Sequence, residues 1–179
     1  MTSYIAVLRA INLGARNKIS MADLRALFVD LGAKDVQTYV QSGNVVFTSS
    51  VRSPAKLVEA IEAAIRDRLG LSITVLVRTR DELQQVVEAN PLLGGGRDAA
   101  NLDVTFLAEA PASDRVAELE TQTFEPDEVQ VIGRHVYLHC PTGYGRSKLS
   151  NTFLERRLAV AATNRNWRTV TSLAALAGT

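Results

Sequence analysis

The chain has 179 residues, of which 46% are apolar and 22% charged, and its formal net charge is +1. This composition is typical of a globular protein, because a disordered chain lacks the apolar surface that offsets the entropy lost on folding. We expect no membrane span and no signal peptide, since no apolar run is long enough for either. The single cysteine, Cys140, excludes an internal disulfide and a multi-cysteine metal site, so we expect a cytoplasmic protein.

The charge is distributed unevenly along the chain. Residues 1–140 carry 14 basic and 18 acidic side chains, whereas residues 141–179 carry six basic side chains and one acidic side chain. The six basic residues are Arg146, Lys148, Arg156, Arg157, Arg165 and Arg168. Either this C-terminal quarter presents a surface to an anion, or the two regions pack together and pair their charges.

The first half of the chain predicts the element order β-α-β-β-α-β. Strands are predicted where β-branched and aromatic residues dominate, over residues 4–9, 36–40, 45–48 and 72–78. The two helices have apolar residues at helical spacing; they begin after the cap residues Ser20 and Ser53 and end near Gly32 and Gly70. This order of elements is ferredoxin-like.

A similar order follows in the second half. A short helix opened by Thr79 and Glu82 leads into a glycine-rich joint, and a strand of alternating apolar residues then begins at Leu102. The remaining predicted elements are a helix over residues 113–123, a hairpin of residues 129–132 and 135–140, a helix over residues 147–160, and a last helix capped near Thr163 or Asn164.

The sequence therefore predicts an α+β protein of two tandem βαββα (ferredoxin-like) units with mainly antiparallel sheets and C-terminal helices. The first βαββαβ unit and its short linking helix take residues 1–90, and the joint takes residues 91–101. The second unit, with basic C-terminal helices, takes residues 102–179.

The densest candidate site is the segment Pro-Thr-Gly-Tyr-Gly-Arg-Ser-Lys, residues 141–148, which leads into a predicted helix. Backbone amides at a helix N-terminus bind anions, and this segment adds two cations and a hydroxyl. We predict an anion site here, with ligand contacts from Tyr144, Arg146, Ser147 and Lys148. The glycine spacing is neither that of a P-loop nor that of a dinucleotide-binding turn. The alternative is a tight strand-to-helix connection with Ser147 as the helix N-cap and two solvated basic residues.

Two further segments supply candidate anion contacts. The loop from Arg9 to Lys18 is polar and cationic, and we group Arg9, Asn12 and Lys18 with Asn44 of the hairpin turn; the alternative is a solvated loop whose asparagines satisfy turn backbone. In the segment Asn-Arg-Asn-Trp-Arg, residues 164–168, Arg165 and Arg168 flank an indole that could stack on a base. The helical phase of Trp167 favours core packing instead, with both arginines exposed.

Hydrolytic, redox and metal chemistry is poorly supported by the sequence. His135 and His139 share one face of a short strand, but no third metal ligand is evident. Cys140 points away from His139, since neighbours in a strand face opposite sides. We therefore expect no metal and no cofactor, and no catalytic residue can be named.

Some segments of the first half form signatures: Tyr-Ile-Ala-Val-Leu-Arg-Ala-Ile-Asn (4–12), Lys-Ile-Ser-Met (18–21), Leu-Arg-Ala-Leu (24–27) and Tyr-Val-Gln-Ser-Gly-Asn-Val-Val-Phe (39–47). Further signature segments are residues 145–149, 151–158 and 162–168. Together they resemble the family called domain of unknown function 1697 (DUF1697), whose members are mostly bacterial. The resemblance implies an α+β fold of paired ferredoxin-like units. It implies no established activity, substrate or cofactor, and Ala10 stands where the family usually has glycine.

Three functions remain as hypotheses. The first is a binding module for a phosphate-bearing ligand, either nucleic acid or a nucleotide, through the basic glycine-rich segment. The second is an enzyme acting on a small anionic substrate held by Arg9, Lys18, Arg146 and Lys148, with Tyr39 or Tyr144 as proton donor. The third is a structural or interaction protein that forms a homo-oligomer through its open sheet edges. We expect no membrane partner.

Overall fold

The computed structural model describes all 179 residues. The strands are β1 (Thr2–Leu8), β2 (Lys34–Thr38), β3 (Asn44–Ser49), β4 (Val75–Thr79), β5 (Leu102–Leu107), β6 (Glu128–Ile132), β7 (His135–His139) and β8 (Ala162–Asn166). The helices are α1 (Met21–Asp30), α2 (Pro54–Leu69), α3 (Arg80–Glu88), α4 (Ser113–Glu120), α5 (Asn151–Leu158) and α6 (Trp167–Ala177). No helix combines the length and the apolarity needed to cross a membrane.

The chain forms two compact units, which we call unit 1 (residues 1–85 and 172–179) and unit 2 (residues 86–171). Each unit contains a four-stranded antiparallel sheet, with the strand order β2-β3-β1-β4 in unit 1 and β6-β7-β5-β8 in unit 2. Each order places the first and third strands of its unit in the centre of the sheet, as in ferredoxin-like folds. The predicted α+β class and tandem ferredoxin-like arrangement are confirmed.

The fourth strand of unit 2 was not predicted. The sequence indicated a helix from about Thr163, whereas residues 162–166 form β8, which pairs antiparallel with β5, and α6 begins only at Trp167. The Asn164 side chain, predicted as a cap, bonds instead to its cross-strand partner Thr105. The strand could not be recognised from its composition, because it contains two asparagines and an arginine. Asparagine is typical of helix caps and turns, and none of the three residues is typical of strands.

The core of unit 1 lies between its sheet and the helices α1 and α2. Tyr4, Ala6 and Leu8 alternate along β1 toward these helices, and each is almost completely buried. The Phe47 ring stacks on Tyr4 at 5.7 Å and meets the edge of Phe28 at 5.0 Å between centroids. These aromatic contacts pack the helix α1 against the strands β1 and β3 of the sheet.

The predicted helix starts of unit 1 are confirmed by their caps. The Ser20 hydroxyl accepts a hydrogen bond from the Asp23 amide at 3.0 Å, and the Ser53 hydroxyl accepts one from Lys56 at 3.3 Å. Each cap satisfies an amide that has no partner inside the helix, which is worth about 1 kcal/mol. The helix α2 ends at Gly70 in the left-handed conformation, also as predicted.

Unit 2 has its own apolar core on the helix-covered face of its sheet. Val136 and Leu138 of β7 lie there with Leu119 of α4 and with Leu154 and Leu158 of α5. Burying each such side chain stabilises the fold by about 1.5–3 kcal/mol. This core holds the segment between β7 and α5, where the densest predicted site lies.

Candidate functional site

One end of the unit 2 sheet gathers several of the predicted site residues. The antiparallel register pairs His139 with both Leu102 and Glu128, so β7 ends where β5 and β6 begin, and β8 ends there too. The segment of residues 141–150, which we call the glycine loop, follows β7 at this end, and the first turn of α6 follows β8. The predicted residues that these two segments carry are Tyr144, Arg146, Ser147, Lys148 and Arg168.

The glycine loop contains a single 3-10 turn, Tyr144–Arg146, rather than the start of a helix. The helix α5 begins at Asn151 and is capped by Ser150, whose hydroxyl accepts from the Phe153 amide at 3.2 Å. The predicted helix start at Ser147 is therefore wrong, and Ser147 is not its N-cap. Ser147 is extended and Leu149 is fully buried in the core, so the chain becomes helical only after Leu149.

The amides of the glycine loop are used within the loop itself. Gly143 donates its N–H to the Cys140 carbonyl at 2.9 Å, and Arg146 donates to the Gly143 carbonyl at 3.1 Å. Gly143 has a φ of 101°, a conformation that side-chain-bearing residues rarely adopt. The glycines thus shape the turn, and they lie too far before α5 to add their amides to its N-terminus.

The Ser147 hydroxyl anchors the loop to the segment that precedes β6. It donates a hydrogen bond to Asp127 Oδ2 at 2.7 Å and accepts one from the Leu149 amide at 3.0 Å. A hydrogen bond to a carboxylate is stronger than one between neutral groups. Ser147 therefore positions its neighbours and is not itself available to a ligand.

The cations beside Ser147 point outward. Arg146 and Lys148 are exposed, and their side chains make neither a hydrogen bond nor an ion pair in the structure. Arg168, in the first turn of α6, is also exposed and makes no such contact. Three unpaired positive charges consequently lie at the same end of the unit 2 sheet.

Arg165 does not belong to this group. It was predicted to be exposed, but its side chain is buried at 7% exposure in β8, where it donates to Thr163 Oγ1 and to the Asn164 carbonyl, each at 2.8 Å. Burial lowers the pKa of Arg165 to about 10, because desolvation penalises the charged guanidinium. Its neighbour Trp167 is buried, as its helical phase indicated.

A buried polar network lies on the helix-covered face of the unit 2 sheet. The Thr105 hydroxyl donates to Asn164 Oδ1 at 3.0 Å, and Asn164 Nδ2 donates to Asp103 Oδ2 at 2.7 Å. Burial raises the pKa of Asp103 to about 6, although the hydrogen bond from Asn164 opposes the shift. This carboxyl therefore changes its charge close to neutral pH.

The Tyr144 hydroxyl lies near this network and is buried, with a poorly aligned contact to the backbone of Asn151 in place of a well-formed hydrogen bond. Burial raises its pKa to about 12, and the negative charge of Asp103 adds to the shift. Asn151 Oδ1 and Asp127 Oδ1 are likewise buried and unpartnered. An enclosed phenol with a raised pKa is poorly suited to donate a proton to a substrate, the role that one of our hypotheses gave to Tyr144.

A second set of polar contacts in unit 2 is centred on Glu128, whose carboxylate contacts both Arg97 and His139. It forms a bidentate pair with Arg97 at 2.8 and 2.9 Å, and its Oε1 lies 3.0 Å from Nδ1 of His139. The Arg97 hydrogen bond, followed by the contact with His139, lowers the pKa of Glu128 to about 2. Sequence inspection had missed both Arg97 and Glu128, because nothing in the local pattern indicates a contact across 31 residues.

The cysteine and the two histidines, which could in principle act as nucleophile or metal ligands, are buried or make contacts with other side chains. Cys140 is buried, and desolvation raises the pKa of its thiol to about 11. His135 packs edge-on against Phe106 at 5.5 Å between ring centroids, while His139 contacts Glu128. The structure contains no group of three or more His, Cys, Asp or Glu side chains that could hold a metal ion.

The unit 1 candidates form a structural junction between two loops. Asn12 donates to the carbonyls of Ile19 and Gln41 at 3.0 and 2.8 Å, and it accepts from the Ile19 amide at 2.9 Å. A Cβ added at Gly43 would stand 2.7 Å from Ile11 Cδ1, so only glycine fits beneath this junction.

The other unit 1 candidates divide between structural and exposed positions. Asn44 is buried and donates to the Tyr39 carbonyl and to Ser42 Oγ, each at 2.9 Å. Like Asn12, it satisfies turn backbone, the role that our alternative interpretation gave to these asparagines. Lys18 is exposed and Arg9 half-buried.

Comparison with known proteins identifies the family. The sequence model described as "Protein of unknown function (DUF1697)" matches residues 1–137, which excludes the glycine loop. No curated protein matches the chain. The solved structure of a conserved bacterial protein from Streptococcus pneumoniae is similar to this one. The match covers 98% of this chain and 98% of that chain, with 26% sequence identity and a TM-score of 0.77. The family match spans most of the chain, and the protein belongs to the DUF1697 family.

Proposed function

We propose that the protein binds a phosphate-bearing ligand and that Arg146 and Lys148 of the glycine loop are its principal contacts. The observation that carries the proposal is that both cations are exposed and unpaired on a loop held by hydrogen bonds on either side of them. The two cations flank Ser147, whose side chain is anchored to Asp127 and to the Leu149 amide.

Anchoring of the loop matters because binding a ligand costs the entropy of the groups that it orders. A loop already held by the Ser147–Asp127 hydrogen bond and by a buried Leu149 loses little further freedom. The Arg146 guanidinium can donate hydrogen bonds to two phosphate oxygens at once, and the Lys148 ammonium adds a second positive charge. Arg168, at the same end of the sheet, provides a third contact for a second phosphate.

The charge balance of unit 2 indicates the size of the ligand. Residues 86–171 carry nine basic and eleven acidic side chains, a net charge of −2, so the positive potential is local. A long nucleic acid would also meet the surrounding acidic groups and be repelled by them. We therefore favour a nucleotide or a short single-stranded oligonucleotide over a long duplex.

The test compares ATP and a short single-stranded RNA as probes, by calorimetry and by filter binding at low salt. Both probes should bind the unaltered protein, and the RNA affinity should fall with salt with a slope of about −2, as roughly three phosphate contacts require. The double variant Arg146→Ala/Lys148→Ala should lose at least about tenfold in affinity for each probe. The matched control is Arg156→Ala, which removes an exposed, unpaired cation in the second turn of α5, outside the loop.

Failure of both probes to bind at low salt would overturn the proposal. So would equal losses in the double variant and in Arg156→Ala, because the effect would then reflect charge in general. Binding of RNA but not of ATP would contradict our preference for a small ligand while leaving the loop as the contact.

We further propose that the protein acts in a bacterial cytoplasm. Its one cysteine is a free, buried thiol, which suits a reducing compartment, and the similar solved structure is of a bacterial protein. Cell fractionation of a source bacterium with an antibody against the chain would test the location, and recovery in the extracytoplasmic fraction would contradict it.

A further inference from the structure

A cavity of about 250 Å³ lies within unit 1, between α1, α2 and β3. Its walls are mostly apolar side chains, chiefly Phe28, Leu31, Phe47, Val51, Leu57 and Ile61. This space belongs to a different unit from the glycine loop and shares no residue with it, so a role for the cavity is independent of the proposed function.

The inner wall of the cavity is preformed and aromatic. Phe28 and Phe47 meet edge to face at 5.0 Å, and Tyr4, which does not line the cavity, stacks on Phe47 at 5.7 Å, so the rings are fixed by contacts with each other and with the core. Leu31 and Val51 also line the cavity and are 40% and 39% exposed, which places its opening beside them. A ligand would enter past these two side chains and contact the rings.

The volume limits what can enter. An apolar cavity of about 150 Å³ is enough for benzene, whereas drug-sized ligands occupy about 300–1,000 Å³. The unit 1 cavity lies between these sizes, which suits a short alkyl chain. Each methylene transferred from water into such a space raises the affinity roughly fourfold.

The cavity lining contains a single charged residue, Lys56, and a single hydroxyl, Ser49. Ser49 Oγ already accepts the Val51 amide at 3.1 Å, whereas the Lys56 side chain is exposed and makes no ion pair or hydrogen bond. The first turn of α2, from which Lys56 projects, contains no acidic residue. Glu59 follows one turn later on α2 but forms no ion pair with Lys56, so the lysine remains free to pair with the anionic end of an occupant.

We infer that this cavity binds a small carboxylic acid, with the alkyl chain against Phe28 and Phe47 and the carboxylate at Lys56. One lysine complements the single charge of a carboxylate, and the walls offer no polar group other than the Ser49 hydroxyl to polar groups along the chain. Unit 1 thereby has a ligand-binding role of its own.

The probes for the test are octanoate and 1-octanol, titrated into the full chain by calorimetry. Octanoate should bind at one saturable site, and 1-octanol should bind more weakly because it lacks the charge. Lys56→Met, which keeps the apolar stem, should weaken octanoate roughly five- to tenfold and leave 1-octanol unchanged. Arg66→Met, at the other end of α2, is the matched control and should change neither affinity.

Two further measurements separate a true loss of binding from a loss of folding. Ala60 lines the cavity from α2, and Ala60→Phe should abolish octanoate binding while retaining the circular dichroism spectrum of the unaltered protein. In the unaltered protein, octanoate should shift the ring resonances of Phe28 and Phe47 in NMR spectra and leave that of Phe153 in unit 2 unchanged.

Three results would overturn the inference. They are no saturable binding of octanoate at millimolar concentration, equal weakening by Lys56→Met and Arg66→Met, and equal affinity for octanoate and 1-octanol. Ring shifts that spread to Phe153 would also contradict it, because they would indicate binding away from the cavity.

Discussion

The helix-covered faces of the two sheets share a backbone register but differ in chemistry. In unit 1, Ala6 of the first strand pairs with Val77 of the fourth; in unit 2, the equivalent partners are Thr105 and Asn164. Two residues earlier on the first strand, Tyr4 of unit 1 corresponds to Asp103 of unit 2. One unit thus has an apolar centre on this face, and the other has a hydrogen-bonded polar network at the same positions.

This difference shows that the ferredoxin-like backbone accommodates a connected set of buried polar groups at positions where the other unit has apolar residues. Thr105, Asn164 and Asp103 bond one to the next, and each alone would leave an unsatisfied group in a desolvated site. The network lies beside the glycine loop, whereas in unit 1 the apolar residues Phe28 and Phe47 line the unit 1 cavity. The two units therefore share a topology and differ in the chemistry of their cores.

The largest expected effect comes from placing a single polar residue on the apolar, helix-covered face of the unit 1 sheet. Val77→Asn removes a buried apolar side chain and inserts an amide that faces Ala6, which cannot bond to it, so we expect a loss of about 4 kcal/mol in the free energy of unfolding. Urea unfolding followed by circular dichroism measures this loss. The control Val29→Asn, at a 55% exposed position of α1, should cost less than about 1 kcal/mol.

A double-mutant cycle sharpens that test. Adding Ala6→Thr to Val77→Asn recreates the hydroxyl–amide pair of unit 2, and the two substitutions should couple favourably by about 1 kcal/mol. An absence of coupling would mean that the pair needs the third member, the carboxyl group, to form.

The Asp103 carboxyl group of the unit 2 network should make the stability of the fold depend on pH, with an effect of intermediate size. Because the folded pKa of Asp103, about 6, lies above its ordinary value of 3.8, the folded state binds the proton more tightly than the unfolded state. The resulting stability is present below pH 4 and is lost as the pH rises through 6. Asp103→Asn keeps the acceptor for Asn164 and cannot ionise, so it should unfold like the unaltered protein at about pH 4 and be more stable at about pH 8 by up to about 3 kcal/mol.

Urea titrations at several pH values between about 4 and 8 measure this difference. Glu109→Gln removes an exposed carboxylate of the same unit and should leave the stability curve unchanged. If the curves of Asp103→Asn and the unaltered protein stay parallel over this range, the Asp103 carboxyl is not held in the neutral form by the fold.

Periodicity and cap residues predicted most of the fold, because the signals are local. Ser20, Ser53 and Gly70 mark the ends of helices through contacts within one turn, and each is where the sequence places it. The fourth strand of unit 2 was missed because its formation depends on a partner strand about 60 residues away in the chain and not on its own composition. Local patterns also misplaced the start of α5, where burial of Leu149 decides the path.

The candidate site was less predictable than the fold for the same reason. Glycine and basic residues pointed to the loop around Arg146, but the sequence could not show that Ser147 anchors it through Asp127, 20 residues earlier. Asp103 would be expected on a solvent-facing side of its strand, since Leu102 and Val104 alternate with it; in the structure every residue of β5 is buried. Arg165 was misassigned for a related reason, since an arginine beside an asparagine indicates a surface.

The smallest expected effect concerns two tyrosine hydroxyls, one in each unit. Tyr4 donates its hydroxyl to the Val51 carbonyl at 2.9 Å, whereas the buried Tyr144 hydroxyl makes no well-formed hydrogen bond. Tyr4→Phe should therefore destabilise the protein by about 1 kcal/mol, because it leaves a carbonyl unsatisfied, and Tyr144→Phe should stabilise it by about 1 kcal/mol, because it removes an uncompensated polar group. Each change removes one oxygen and keeps the ring, so the opposite signs measure hydrogen bonding and not packing. Thermal unfolding of the two variants side by side provides the comparison, and a loss of stability in both would mean that Tyr144 has a partner in solution, such as an ordered water beside Asp103.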